Sequence, residues 1–194
     1  MSSGKAPVRI RGVIVKIQGI IMKRLSVAAS ILAIALSGCA SPAMHENMVV
    51  SGEQLRVVVP GSKFHNKISK ITVTGGSETI PIWTSQVSSE SFQLALSESL
   101  NKAGLATEQG PYSLNANLVA LDQPLLGVGM TVRASVDYKI KDEATGSVLF
   151  DETIDSAYTA TMSDAVIGVK RLRLANEGAI RRNIEQFLKK INHS

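Results

Sequence analysis

A single thiol stands in this chain, at Cys39. With one cysteine no intramolecular disulfide can form, so this side chain is free for covalent modification. The other groups with chemical potential are scattered. His45, His65 and His193 lie far apart, and no set of Cys, His, Asp or Glu has metal-ligand spacing, so no metal is expected. Asp142, Glu143, Asp151, Glu152 and Asp155 cluster around one turn. Calcium is conceivable there, but the looped D-x-D-x-D-G pattern is missing and a solvated polar rim is the plainer reading. Gly75-Gly76-Ser77 and Gly127-Val128-Gly129 are too short for a nucleotide fingerprint, and neither opens a helix in a β-α-β unit. No serine sits in G-x-S-x-G. The expectation is a protein with no catalytic residues and no cofactor.

The residues before Cys39 say what its modification would be. Lys23 and Arg24 are followed by an uncharged, mostly apolar run from Leu25 to Ser37, then by Leu36-Ser37-Gly38-Cys39. Charge, then an apolar stretch, then small residues is the order of a secretory signal peptide. The ending resembles the lipobox of bacterial lipoproteins, in which Leu36, Ser37 and Gly38 are read by the signal peptidase and Cys39 carries the lipid. An uncleaved membrane helix with a chance cysteine is the alternative, but the run is shorter than the roughly 20 residues a spanning helix needs. Residues 1–38 therefore read as a signal peptide, with translation beginning at Met1 or, more economically, at Met22. Residues 39–53 read as a lipidated tether, holding Ser, Pro, His, Asn and Gly without a period. Residues 54–194 read as one folded domain.

Removing the leader changes the charge. The whole chain carries a formal +5, but six basic and no acidic residues lie before Cys39. From Cys39 onward 15 basic residues face 16 acidic ones. A nearly neutral domain gives no support to a nucleic-acid partner.

The domain must build its core from Leu, Val, Ile and Ala, since aromatic residues make up only 4% of the chain. Gln54 to Val59 reads as a first extended segment and Lys67 to Thr74 as a strand ended by Gly75-Gly76. Thr84 or Ser85 is placed to cap a helix over 86–103, with Phe92, Ala95, Leu96, Leu100 and Ala103 on one face and Gly104 closing it. Tyr112 to Leu121 alternates. Thr131 to Lys141 alternates more strictly, with Val132, Ala134, Val136, Tyr138 and Ile140 to one side. A turn ending near Gly146 leads to a return strand from Val148 to about Thr159. Ser163 or Asp164 is placed to cap a last helix over 165–191. Its stripe of Leu172, Ala179, Ile180, Ile184, Phe187, Leu188 and Ile191 lies opposite Arg171, Arg182 and Lys189. The predicted fold class is α+β: a small, mainly antiparallel sheet with two helices packed on one face, in the order β-α-β-β-β-α.

Two connections are unusually apolar. Leu125, Leu126, Val128 and Met130 fall between the second and third strands, and Val166 and Ile167 between the last strand and the last helix. Ordinary solvent loops are richer in Asn, Asp and Ser. In an up-down-up arrangement both connections fall at the end of the sheet away from Gly146. They form either an exposed patch for a protein partner or lipid, or a cover folded over the open end of the core.

The element order behind a lipobox resembles small outer-membrane lipoproteins of Gram-negative bacteria, the YajG-like and the lipopolysaccharide-assembly (LptE-like) types. The resemblance spans about Lys67 to Ile191. It is carried by Phe92-x-x-Ala95-Leu96-x-x-Ser99-Leu100, by the hairpin at Gly146 and by the basic-apolar last helix. It implies a protein held in the outer membrane by the lipid on Cys39 and facing the periplasm, since Ala40 rather than Asp follows the cysteine. It further implies a non-catalytic adaptor or assembly factor with an envelope protein partner, or alternatively an accessory protein for lipid or glycolipid binding and transport.

Overall fold

The computed structural model describes residues 40–52, 62–79, 85–125 and 127–192. Cys39, the leader including Leu36, Ser37 and Gly38, the extended segment at 54–59, Thr84, Leu126 and His193 lie outside the described residues.

Four strands make one sheet: β1 (Ile68–Thr74), β2 (Tyr112–Asp122), β3 (Met130–Asp142) and β4 (Val148–Ala160). They lie in chain order, β1 parallel to β2 and the other pairs antiparallel. Parallel neighbours need a crossover, and helix α2 (Ser89–Lys102) supplies it, between a short α1 (His45–Met48) and the long α3 (Gly168–Asn192). The architecture is the mixed α+β one that the periodicities predict, with the short helix added.

β3 follows its alternation from end to end, burying Val132, Ala134, Val136, Tyr138 and Ile140. β2 does so from Leu114 to Leu118; a bulge at Val119 then shifts the register, so that Leu121 rather than Ala120 follows Leu118 onto the inner side, opposite Ala134. The outer face is polar and paired across strands. Asp137 accepts from Thr153 at 2.6 Å, Lys139 meets Asp151 at 2.8 Å, and Ser135 donates to Asp155. Much of the acidic cluster is therefore engaged in the sheet. Asp142 turns back to accept the N–H groups of Ala144 and Thr145, which hold its carboxyl below the usual range.

α2 begins where Ser88, not Thr84 or Ser85, accepts the Ser91 N–H. Phe92, Ala95, Leu96, Ser99 and Leu100 form its buried face. α3 lies across β3 and β4. Phe187 stacks on Tyr138 with ring centroids 4.0 Å apart and meets Phe150 edge-on at 5.6 Å. The Tyr138 hydroxyl donates to Asn183, whose amide in turn donates to the Ala134 and Ile154 carbonyls. Burial raises the Tyr138 pKa well above its ordinary value, which keeps this hydroxyl a donor.

The first correction concerns the tether. Ala43, Met48, Val49 and Val50 are buried. The Met44 N–H and the Asn47 amide both donate to Glu177 of α3 at 3.0 Å, and the Val50 N–H donates to Ser99 of α2 at 3.1 Å. These contacts are all long-range, which is why a stretch without a period folds nonetheless. Residues 43–50 therefore pack as part of the same unit as the sheet and the two longer helices.

Candidate functional site

The two apolar connections come together at one end of the sheet, where Met130 of β3 pairs with Ala160 of β4. The turn around Gly146 closes the other end. Each connection is fixed at its base. On the β2–β3 side the Gln123 amide donates to the Ser85 carbonyl and to Asn176 of α3, both at 2.9 Å. On the β4–α3 side Asp164 accepts the Thr161 N–H at 2.7 Å and its hydroxyl at 2.9 Å. These bonds hold the Asp164 carboxyl below its ordinary pKa. They also spend its cap on the loop's own turn, so α3 starts at Gly168 rather than Ala165.

Arg171 joins the two connections. One guanidinium nitrogen, Nη1, donates to the Ala165 carbonyl at 2.8 Å and the Val166 carbonyl at 2.6 Å. The other, Nη2, donates to the Gly127 carbonyl at 3.2 Å. The wheel places Arg171 on the solvent face of the last helix, but the residue is buried. The reason lies in helix geometry. Side chains lean toward the N-terminus of their helix, and at the first turn that direction leads to the loops instead of to water.

This clasp leaves apolar side chains outside. Leu125 is 92% exposed, Val128 and Val166 are each 76% exposed, and Ile167 is 57% exposed. Met162, near the start of the β4–α3 connection, adds a fifth at 45%. Met130 is corrected in the other direction: as the first residue of β3 it takes an inward position and is 6% exposed, so it belongs to the core. Leu126 lies outside the described residues. Of the expected patch, Leu125, Val128, Val166 and Ile167 are thus exposed on the two connections that Arg171 joins.

Among the described residues the two histidines stand apart. His45 sits on α1 beside Glu46, and His65 lies in the turn before β1. No group of three metal-ligating side chains occurs among the described residues. Glu177 is the most unusual carboxylate. Burial raises its pKa, opposed by the Met44 N–H, Arg173 and Asn47. It borders a cavity of about 130 Å³ with Asn47, Tyr158, Asp164, Leu174 and Arg181. Its hydrogen bonds are spent on holding residues 44–47, a structural role. No helix among the described residues is long and apolar enough to cross a membrane.

The signal for the missed clasp was present but indirect. The first turn of α3 carries Lys170 and Arg171 and no acidic residue, the reverse of what the helix dipole favours.

No protein-family model matches the chain, and no curated protein matches it. Solved structures resemble it weakly. A candidate lipoprotein from Caulobacter crescentus is 13% identical at a TM-score of 0.45, over 73% of this chain and 92% of that one. The PelC dodecamer from Paraburkholderia phytofirmans is 15% identical at 0.47, over 69% and 91%. A minor lipoprotein from Acinetobacter baumannii is 12% identical at 0.47, over 66% and 94%. Likeness at this level identifies neither family nor activity.

Proposed function

We propose that this chain is an outer-membrane lipoprotein, anchored through Cys39 and facing the periplasm, that acts as a non-catalytic adaptor or assembly factor by docking on another envelope component. The observation that carries the reading is the loop end. Four large apolar side chains predicted from the sequence stand exposed on two connections that a buried arginine holds together. Holding apolar groups in water is costly, and a fixed surface of this kind fits binding. The leader and Leu36-Ser37-Gly38-Cys39 supply the anchor.

The alternative, a carrier that shields acyl chains between sheet and helices, is less favoured. That space is filled by Tyr138, Phe187, Leu96, Leu100, Ile180 and Ile184, all fully buried.

The test pairs anchor and surface. Cys39→Ser should leave an uncleaved, unlipidated precursor. In the lipidated protein Leu125→Asp and Ile167→Asp should abolish envelope crosslinks without lowering the melting temperature. Wild-type membrane protein with an unmodified Cys39 by intact mass, or folded variants that keep every crosslink, would refute the reading.

A further inference from the structure

The described chain begins at the same end as the apolar loops. The Ala43 N–H donates to the Gln86 carbonyl at 3.1 Å. The neighbouring Ser85 carbonyl accepts from Gln123, the first residue of the β2–β3 connection, and from Asn176. The direction of the chain agrees. The Asn47 carbonyl accepts from Arg181 at 2.6 Å, and the Met44 N–H donates to Glu177 at 3.0 Å. Traced from Asn47 back to Met44, the backbone climbs one turn of α3 toward its N-terminal end, where the loops are.

Cys39 is one peptide bond before Ala40, and only residues 40–42 separate it from the hydrogen-bonded Ala43. Four residue steps span at most about 14 Å. A lipid on Cys39 would thus hold the domain against its membrane on a leash far shorter than the 15 residues the sequence suggests. The end presented to that membrane carries Leu125, Val128, Met162, Val166 and Ile167 exposed, with Lys170 exposed beside them in the first turn of α3. The acidic groups at this end are partly answered. Asp164 is engaged by Thr161, and Asp122 stands opposite Arg133 in the sheet register.

We infer that the loop end is a membrane-seating surface: its apolar side chains rest in the interfacial layer of the bilayer that holds the lipid on Cys39. This rests on the reading above and names the envelope component as the lipid surface itself. The chemistry matches. Aliphatic side chains at the headgroup boundary gain from burial, and a nearby lysine meets anionic headgroups. A short leash keeps the local concentration of loops at the surface high, so weak contacts suffice. A cation in the first turn of α3, unfavourable for the helix dipole, gains a partner there.

The experiment uses the full lipidated protein, its lipid verified by intact mass, on vesicles of phosphatidylethanolamine and phosphatidylglycerol. With Cys39 acylated, an introduced cysteine is the one thiol available to a nitroxide label. Labels are placed at Leu125→Cys, Ile167→Cys and, at the opposite end, Thr145→Cys, in variants that melt like wild type. The expected result is several-fold less collision with a water-borne relaxing agent, and more with oxygen, at 125 and 167 than at 145. Equal water access at all three sites overturns the proposal. Native outer membranes then separate its failure from that of the broader reading. Shielding there alone makes the occupant a protein and leaves the adaptor reading standing. Exposure there as well removes both.

Discussion

Arg171 offers the sharpest test of how the loop end is built. In Arg171→Met a side chain of similar reach stays, but the donors to Ala165, Val166 and Gly127 are lost. A hydrogen bond to a charged group contributes about 1.5–3 kcal/mol. Part of that returns, because Val166 is exposed and its carbonyl can regain water. A net loss of about 2–4 kcal/mol follows, or a fall of roughly 4–16 °C in melting temperature for a domain of this size. Arg171→Lys keeps the charge but not the planar fork that spans two loops, and should recover about half of the loss. Urea melts give the global number. Hydrogen exchange gives the local one: the Asp164 and Ala165 amides, bonded to Thr161, should lose protection beyond the global change. The Asp142 and Gly146 amides at the far turn should follow the global change alone. Wild-type stability and undiminished protection at 164 and 165 in Arg171→Met would refute the clasp.

Three further outcomes are expected. Gly178→Ala should destabilise by about 1–3 kcal/mol, although alanine is the better helix former, because the new Cβ would lie 2.3 Å from Cδ1 of Tyr158; in a Tyr158→Ala background the same change should stabilise in thermal melts. Leu100→Ala and Ile184→Ala should each cost about 2–5 kcal/mol, against about 0.5 or less for the exposed Arg182→Ala and for Lys139→Ala on the polar face of β3, measured in denaturant. Glu177 has a raised pKa when folded, so its contribution is fully present below the ordinary glutamate pKa and declines as pH rises through the folded value. Wild type should therefore lose stability relative to Glu177→Gln as pH climbs through that acid window. Asp142 and Asp164, both lowered, act in the opposite sense but cancel in the comparison; a pH-independent difference would contradict the assignment.

What the sequence conveyed was periodic, and what it concealed was long-range. β3 was legible because one face is wholly buried and the other is polar and at least partly exposed, so every residue from Val132 to Ile140 obeys a period of two. The inner face of β4 was harder to read because Glu152 and Ser156 interrupt it. Lys190 of α3 answers the glutamate, and the Ala179 carbonyl and Asn183 answer the serine. Neither partner can be seen from β4 alone. The same holds for residues 43–50, whose order depends on Glu177 and Ser99, far along the chain. The parallel β1–β2 pair likewise leaves no local mark, since strand direction is set by the crossover through α2.

The loop end shows how far such reasoning reaches into function. Composition alone singled out two apolar connections, and topology alone placed them at one end. Composition could not divide exposed residues from buried ones, because Met130 and Val128 look alike until strand register assigns Met130 an inward position. Nor could a helical wheel place Arg171, because a wheel describes directions around the axis and not along it. At the first turn the axial lean of the side chain decides its surroundings. A cation placed on the wrong end of its helix dipole, next to a loop with many apolar groups and few polar ones, is a pattern readable in advance. It marks an arginine whose partners are the loop's own carbonyls. With the backbone secured in this way, the side chains of Leu125, Val128, Val166 and Ile167 stand exposed on loops that Arg171 holds in place.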